Sequence, residues 1–227
     1  MSVQAVFRAA LRDVVSPAAR AEGFKGSAPN WRMVDQQGDW AIVNVQSSTA
    51  STSETLRCTV NLSVAPAPWL EWSYKLLGHR PKAVSEADGL YRGRLHSTGR
   101  SARRDGWWEV GSEREALAVA ADIVEKLAAD GWPLLRRLLD RETLAGHIQA
   151  GELGLSRTDG YDEYFVMAEL LVRCQSGPSP RLDELVELLE RTGERTGFLD
   201  WVCDYAGLPR GRSRPPGSGG AGRRSPG

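Results

Sequence analysis

The stretch from Leu56 to Val64 reads LRCTVNLSV and alternates between apolar and polar side chains with a period of two. This period is typical of a β-strand, in which successive side chains point to opposite faces of a sheet. We therefore predict a strand over Thr55–Val64 with one buried face. The side chains expected to be buried are Leu56, Cys58, Val60 and Leu62.

Two further strands are predicted before this stretch, at about Trp31–Val34 and Trp40–Ser47. The turn residues Gln36–Asp39 separate them and predict a hairpin. A Ser/Thr-rich loop, Ser47–Thr55, joins the second strand to the third. At the amino terminus, apolar residues recur at helical spacing and predict an amphipathic helix. Helices followed by an antiparallel meander indicate an α+β fold.

After Val64 the sequence first predicts further strands and then helices. Two more strands are predicted, at Leu90–His96 and Gly106–Val110, and beyond residue 111 nearly all apolar residues repeat with helical spacing. We expect an α+β domain over residues 1–140. In it, an antiparallel sheet of about 4–5 strands packs against the amino-terminal and central helices. Residues 141–206 are predicted to be a helical extension whose apolar stripes need that domain as a packing partner.

The last segment, residues 207–227, contains seven Gly, four Pro and five Arg residues and no acidic residue. It has too few apolar side chains to offset its ordering entropy, so we expect a disordered tail. The whole chain has 29 basic and 29 acidic residues. Because the tail carries about +5, the remainder carries about −5.

Composition also narrows the class of protein. A net charge of zero argues against a dedicated nucleic-acid binder, which needs cations to neutralise phosphates, apart from a weak role of the basic tail. The longest runs free of Asp, Glu, Lys and Arg, Trp40–Ser53 and Cys58–Leu70, are too short and polar to span a bilayer. Three cysteines without CxxC spacing favour a reducing cytosol, so we expect a cytoplasmic location.

Several segments together resemble the domain-of-unknown-function family 4304, a bacterial family without an established activity. They are Gly23-Phe24-Lys25, Trp31, Val43–Ser48, Val60-Asn61-Leu62, Arg92–Leu95 and Asp105–Trp108. The resemblance covers about residues 4–140 and implies an α+β fold with antiparallel strands. It carries over no catalytic residue, and Ser47 stands where the resemblance implies a basic residue.

The sequence contains little catalytic signal. Its three histidines lack HxxxH or HExxH spacing, and the GxSxG, GxGxxG and GxxxxGK[ST] motifs are not found. Cys58 belongs to the apolar strand face and is therefore predicted to be a buried thiol. We expect no catalytic residue, no metal site and no cofactor.

The strongest candidate binding surface is the polar side of the predicted sheet. If the second and third strands pair antiparallel, Asn44 and Gln46 can share a face with three residues of the third strand, namely Arg57, Thr59 and Asn61. Amides donate and accept hydrogen bonds at once, which suits recognition of a partner. Two alternatives remain open: a solvated outer face, or an amide ladder that only fixes the strand register.

Aromatic and basic residues extend this candidate site. Trp107 and Trp108 are adjacent, so a strand would place one indole on each face, and at least one is expected outside the main core. Aromatic packing under the helices is the alternative. Five arginines lie within thirteen residues and suit an anion, or are solvated loop charge: Arg92, Arg94, Arg100, Arg103 and Arg104.

Two functions follow. The first is a non-enzymatic protein-binding or regulatory module of the immunity-like kind, with an unknown protein partner. It would use Asn44, Gln46, Asn61, Arg94 and one of Trp107 or Trp108. The alternative is an enzyme or small-molecule-binding protein with a pocket between sheet and helices, lined by tryptophans and by Asn44, Gln46, Asn61 and Arg94. A broad open face favours the first, and a deep apolar pocket with converging polar groups favours the second.

Overall fold

An antiparallel β-sheet lies at the centre of the fold. The computed structural model describes residues 2–97, 106–160, 162–192 and 196–207. Its main-sheet strands are β1 (Lys25–Ser27), β2 (Asn30–Val34), β3 (Trp40–Ser47), β4 (Leu56–Ala65), β5 (Tyr91–Leu95) and β6 (Trp108–Val110). They follow the order β1-β2-β3-β4-β5, and β6 pairs with β4 beside β5. The predicted α+β class with an antiparallel sheet is confirmed.

Helices precede, interrupt and follow the sheet. They are α1 (Val3–Ala10), α2 (Ser16–Ala21), α3 (Ala67–Leu77), α4 (Glu113–Lys126), α5 (Trp132–Leu139), α6 (Arg141–Gln149), α7 (Glu163–Arg173), α8 (Pro180–Thr192) and α9 (Thr196–Ala206). A π-helical turn, Leu11–Val15, joins α1 to α2, and a second one, Leu127–Gly131, joins α4 to α5. A small hairpin of β7 (Glu152–Leu153) and β8 (Ser156–Arg157) follows α6.

The face of β4 that the alternation assigned to the core is buried. Leu56, Cys58, Val60 and Leu62 are each at most 2% exposed and belong to the main hydrophobic cluster, together with residues of α1, α4 and α5. Burial raises the pKa of the Cys58 thiol to about 12. A thiol with that pKa is protonated at neutral pH, which agrees with a structural role for Cys58.

The opposite face of the sheet is covered only in part. At one end, α3 and the segment after it form a small cluster in which Leu70, Tyr74 and Val84 pack on Ile42 and Ala65. Further along the same strands the side chains are polar. The fold therefore leaves one polar region on the face that points away from the main core.

The helices after residue 140 contact this domain directly. Leu144, Ile148 and Phe165 belong to the main hydrophobic cluster, while α7, α8 and α9 form a second cluster around Trp72 of α3. The dependence of residues 141–206 on the α+β domain for folding stays a prediction, as does the division at residue 140. Beyond Gly207, the predicted tail lies outside the described residues.

A buried carboxylate links three of these helices. Glu169 on α7 accepts hydrogen bonds from Gln149 of α6, from Arg173 of α7 and from Arg181 of α8, at 2.6–2.9 Å. Burial alone would raise the pKa of Glu169, but these hydrogen bonds outweigh it and hold the pKa below the ordinary value of 4.5. Glu169 therefore stays ionised and holds α6, α7 and α8 together.

Candidate functional site

Four polar side chains form one row across the face of the sheet that points away from the main core. Asn30 of β2 lies opposite Asn44 of β3, Asn44 opposite Asn61 of β4, and Asn61 opposite Arg94 of β5. Directly opposed residues in antiparallel strands point to the same face, so the four side chains meet. We call these four residues the polar row.

Hydrogen bonds join every member of the polar row to the next. Asn44 Nδ2 donates to Asn30 Oδ1 at 2.8 Å, and Asn61 Nδ2 donates to Asn44 Oδ1 at 3.1 Å. Arg94 Nε donates to Asn61 Oδ1 at 3.2 Å. Asn61 Nδ2 also donates to Gln46 Oε1 at 2.9 Å, so Gln46 is attached to the middle of the row.

Burial divides these residues into two groups. Asn44 and Asn61 are each 8% exposed, whereas Gln46 and Arg94 are exposed. The buried amides hold the exposed side chains in place, and the exposed ones are available to a partner. The sequence prediction of a shared polar face is confirmed by the strand register, and its use as a binding surface stays a prediction.

The two tryptophans lie in different environments. Trp108 pairs with Cys58 and is 0% exposed, and its Nε1 donates to Asp122 Oδ2 at 2.5 Å. As a fully buried core residue, it cannot contact a partner, and this corrects its place among the candidate site residues. Trp107 is half-buried, and the Arg57 guanidinium lies 5.6 Å from the centre of its ring. Only Trp107 remains beside the polar face.

The arginine cluster is only partly described. Arg92 and Arg94 are exposed and follow the alternation of β5, so both point to the polar face. Arg100, Arg103 and Arg104 lie outside the described residues. The described part of the cluster therefore adds two guanidinium groups to the polar face and forms no separate site.

Asn30 was not among the site residues predicted from the sequence. It begins β2, one residue before the strand predicted at Trp31, and its side chain ends the polar row. A signal was present, because predicted strands that end at Val34 and begin again at Trp40 place Asn30 opposite Asn44. Extending the predicted strand by one residue would have completed the row.

Three cavities lined by described residues lie away from the polar row. The first, about 470 Å³, lies between α6, α7 and the start of α8. The second, about 440 Å³, is at the junction of α3 and α9, and the third, about 350 Å³, is between α3 and residues 80–84. Gln46 and the members of the polar row line none of these three cavities.

The described residues contain no group of three or more His, Cys, Asp or Glu side chains placed to hold a metal ion. Similarly, none of the described helices has both the length and the apolar character that crossing a membrane requires.

Substitutions at Asn44 and Gln46 should separate a structural role from a binding role. Asn44→Ala should lower the free energy of unfolding by about 1–3 kcal/mol, because Asn44 is itself buried and its loss removes hydrogen bonds to both Asn30 and Asn61. Gln46→Ala should change it by less than about 0.5 kcal/mol, because Gln46 is exposed. Urea unfolding at constant m-value measures both effects. Equal losses would mean that Gln46 is as structural as Asn44.

Comparison with known proteins gives one match. The family model described as Domain of unknown function (DUF4304) matches residues 15–137. No curated protein and no solved structure matches the chain. The matched segment contains the whole polar row and ends before α6. Because the match covers more than half of the 227 residues, the chain belongs to the family Domain of unknown function (DUF4304).

Proposed function

We propose that the chain is a non-enzymatic protein-binding module of the regulatory or immunity-like kind, and that it contacts its partner through the polar face. One observation carries this proposal: the buried Asn61 holds two exposed side chains, Gln46 and Arg94, through hydrogen bonds of 2.9 and 3.2 Å. Exposed polar side chains normally move among rotamers, and fixing them costs entropy on binding. Because Asn61 already holds Gln46 and Arg94 in the folded chain, part of this entropy cost arises on folding and not on binding.

The surroundings of these residues also suit a partner of protein size. Gln46, Arg92 and Arg94 are exposed on this face, and the half-buried Trp107 beside it supplies apolar area. Tryptophan and arginine are enriched among the residues that contribute most to protein–protein affinity. The rival function, an enzyme or small-molecule-binding protein, needs a pocket between sheet and helices. The exposed side chains of Gln46 and Arg94 support the first function.

Photocrosslinking at Gln46 tests this proposal in the cells that produce the protein. Full-length chain carrying the substitution Gln46→p-benzoylphenylalanine should give a light-dependent covalent adduct with one protein. Arg114→p-benzoylphenylalanine is the matched control, because Arg114 is exposed on α4, whose inner side faces the main core. Adduct formation at position 46 should fall about tenfold or more when Arg94→Met is added, a loss of about 1.4 kcal/mol or more.

The readout allows two contrary results. No adduct at position 46, or equal adducts at positions 46 and 114, would refute binding through the polar face. Melting temperatures of the variants within about 2 °C of the unmodified chain would show that the comparison concerns binding and not unfolding.

A further inference from the structure

The hydrogen bonds of the polar row have one fixed direction, and Arg94 sets it. A guanidinium group carries N–H donors and no acceptor, so the atom of Asn61 that faces Arg94 Nε must be the oxygen. The nitrogen of the same amide then points back along the row and donates to Asn44 and Gln46. Asn44 in turn must offer its nitrogen to Asn30. Reversing any one amide of the row would place two N–H donors opposite each other.

This direction determines which groups are left for a partner. Each side-chain amide oxygen of the row, and that of Gln46, accepts a hydrogen bond inside the sheet. Among the described residues, no acceptor is within hydrogen-bonding distance of Asn30 Nδ2, Gln46 Nε2 or the two terminal nitrogens of Arg94. The described part of this surface therefore presents donors that no described acceptor fills.

The charged side chains of this face also favour an anionic partner. Arg92 and Arg94 are both exposed there, and Glu109, the acidic residue of the neighbouring β6, is 3.5 Å from Arg57. An approaching protein that offered only neutral oxygens would remove water from Arg94 and leave its positive charge without a counter-charge. Burying an unpaired charge in this way costs free energy. A carboxylate accepts two parallel hydrogen bonds from one guanidinium and neutralises it.

We propose that the partner presents an acidic segment, with Asp or Glu carboxylates that accept hydrogen bonds from Arg94 and Gln46. This inference rests on the proposed function and narrows it to one partner chemistry. A protein carboxylate is favoured over a nucleic-acid phosphate because residues 1–206 carry a net charge of about −5, which repels a long polyanion. A short acidic segment meets only the local donors.

The direction of the row can be measured without a partner. In isotope-labelled full-length protein, couplings through hydrogen bonds should connect Asn61 Nδ2 with the side-chain carbonyl carbons of Asn44 and Gln46. Couplings from Asn44 Nδ2 to the Asn61 carbonyl would reverse the row and overturn the inference. That result would leave the crosslinking test at position 46 unaffected, so the two failures are distinguishable.

Partner chemistry is tested with a displayed library of random dodecapeptides, selected on the full-length chain. Bound peptides should be enriched in Asp and Glu, and the tightest synthetic peptide should lose at least tenfold in affinity with Arg94→Met. The matched variant Arg114→Met removes one exposed arginine from α4 and should change the affinity less than twofold. Gln46→Ala should weaken binding by a smaller factor than Arg94→Met.

Three outcomes would overturn the inference: selected peptides without acidic enrichment, equal losses with Arg94→Met and Arg114→Met, or no peptide selected at all. A single-stranded DNA oligonucleotide serves as the phosphate probe. If it binds at least as tightly as the acidic peptide and shows the same dependence on Arg94, the partner is a nucleic acid and the carboxylate assignment is wrong.

Discussion

Asp39→Ala is expected to lower the free energy of unfolding by about 3–5 kcal/mol. The Asp39 carboxylate is 1% exposed and accepts two hydrogen bonds from Arg141, both 2.7 Å long. It also accepts the backbone N–H of Ala67, at the start of α3, at 2.8 Å. Removing the carboxylate leaves a guanidinium whose side chain is only 10% exposed without its counter-charge. Urea unfolding monitored by tryptophan fluorescence measures the loss.

A matched control isolates the effect of burial. Asp13 also binds its arginine, Arg12, through two hydrogen bonds, at 2.7 and 2.9 Å, but both side chains are more than half exposed. Asp13→Ala should therefore cost much less than Asp39→Ala. If Asp39→Ala cost as little as Asp13→Ala, the pair between the β2–β3 turn and α6 would not hold the extension to the domain.

The sequence predicted the central strands well because their pattern is local. In β4 the alternation of apolar and polar residues decides both the element and its buried face, since a sheet with one covered side requires it. Local sequence signals also indicate the end of α3 and the start of α4. Gly78, with a φ of +73°, ends α3, and Ser112 Oγ accepts the N–H of Glu115 at the start of α4.

Contacts between distant segments were not predictable in this way. Asp39 and Arg141 are 102 residues apart, and each alone resembles an ordinary surface charge. Glu169 likewise is a residue type typical of an exposed helical position. It is nevertheless 2% exposed, because Arg181 and Gln149 of other helices pack on it. Such pairs depend on how the helices pack, which the local pattern does not encode.

The sequence predicted which residues share the candidate site, but only partly which of them are buried. The alternation placed Asn44, Gln46 and Asn61 on one face, but it could not show that the two asparagines lie between neighbouring strands while Gln46 lies nearer the open end. The tryptophans show the same limit. Adjacency put Trp107 and Trp108 on different faces, and only the pairing of Trp108 with the inward-facing Cys58 decides which one is buried.

Leu62→Ala should lower the free energy of unfolding by an amount near the upper end of the roughly 2–5 kcal/mol range for buried leucines. Leu62 is 1% exposed at the middle of β4. One of its neighbours in the sheet is Gly93, and the π-helical turn above it brings Gly131 close. Because glycines have no side chain to move into the vacated space, the cavity cannot close easily. Leu117→Ala, at a site 49% exposed, should cost less than about 1 kcal/mol.

The cavity also predicts a coupling between Leu62 and Gly131. A Cβ added at Gly131 would lie 2.8 Å from Leu127 Cδ2, 3.2 Å from Leu95 Cδ1 and 3.6 Å from Leu62 Cδ2. Gly131→Ala alone should therefore destabilise the chain, because the side-chain ends around it must shift. In the Leu62→Ala background those ends can move into the vacated space. The double variant should then lose less stability than the two single losses combined. Strict additivity, or a Leu62→Ala loss under about 0.5 kcal/mol, would contradict the inward position of Leu62 beneath this turn.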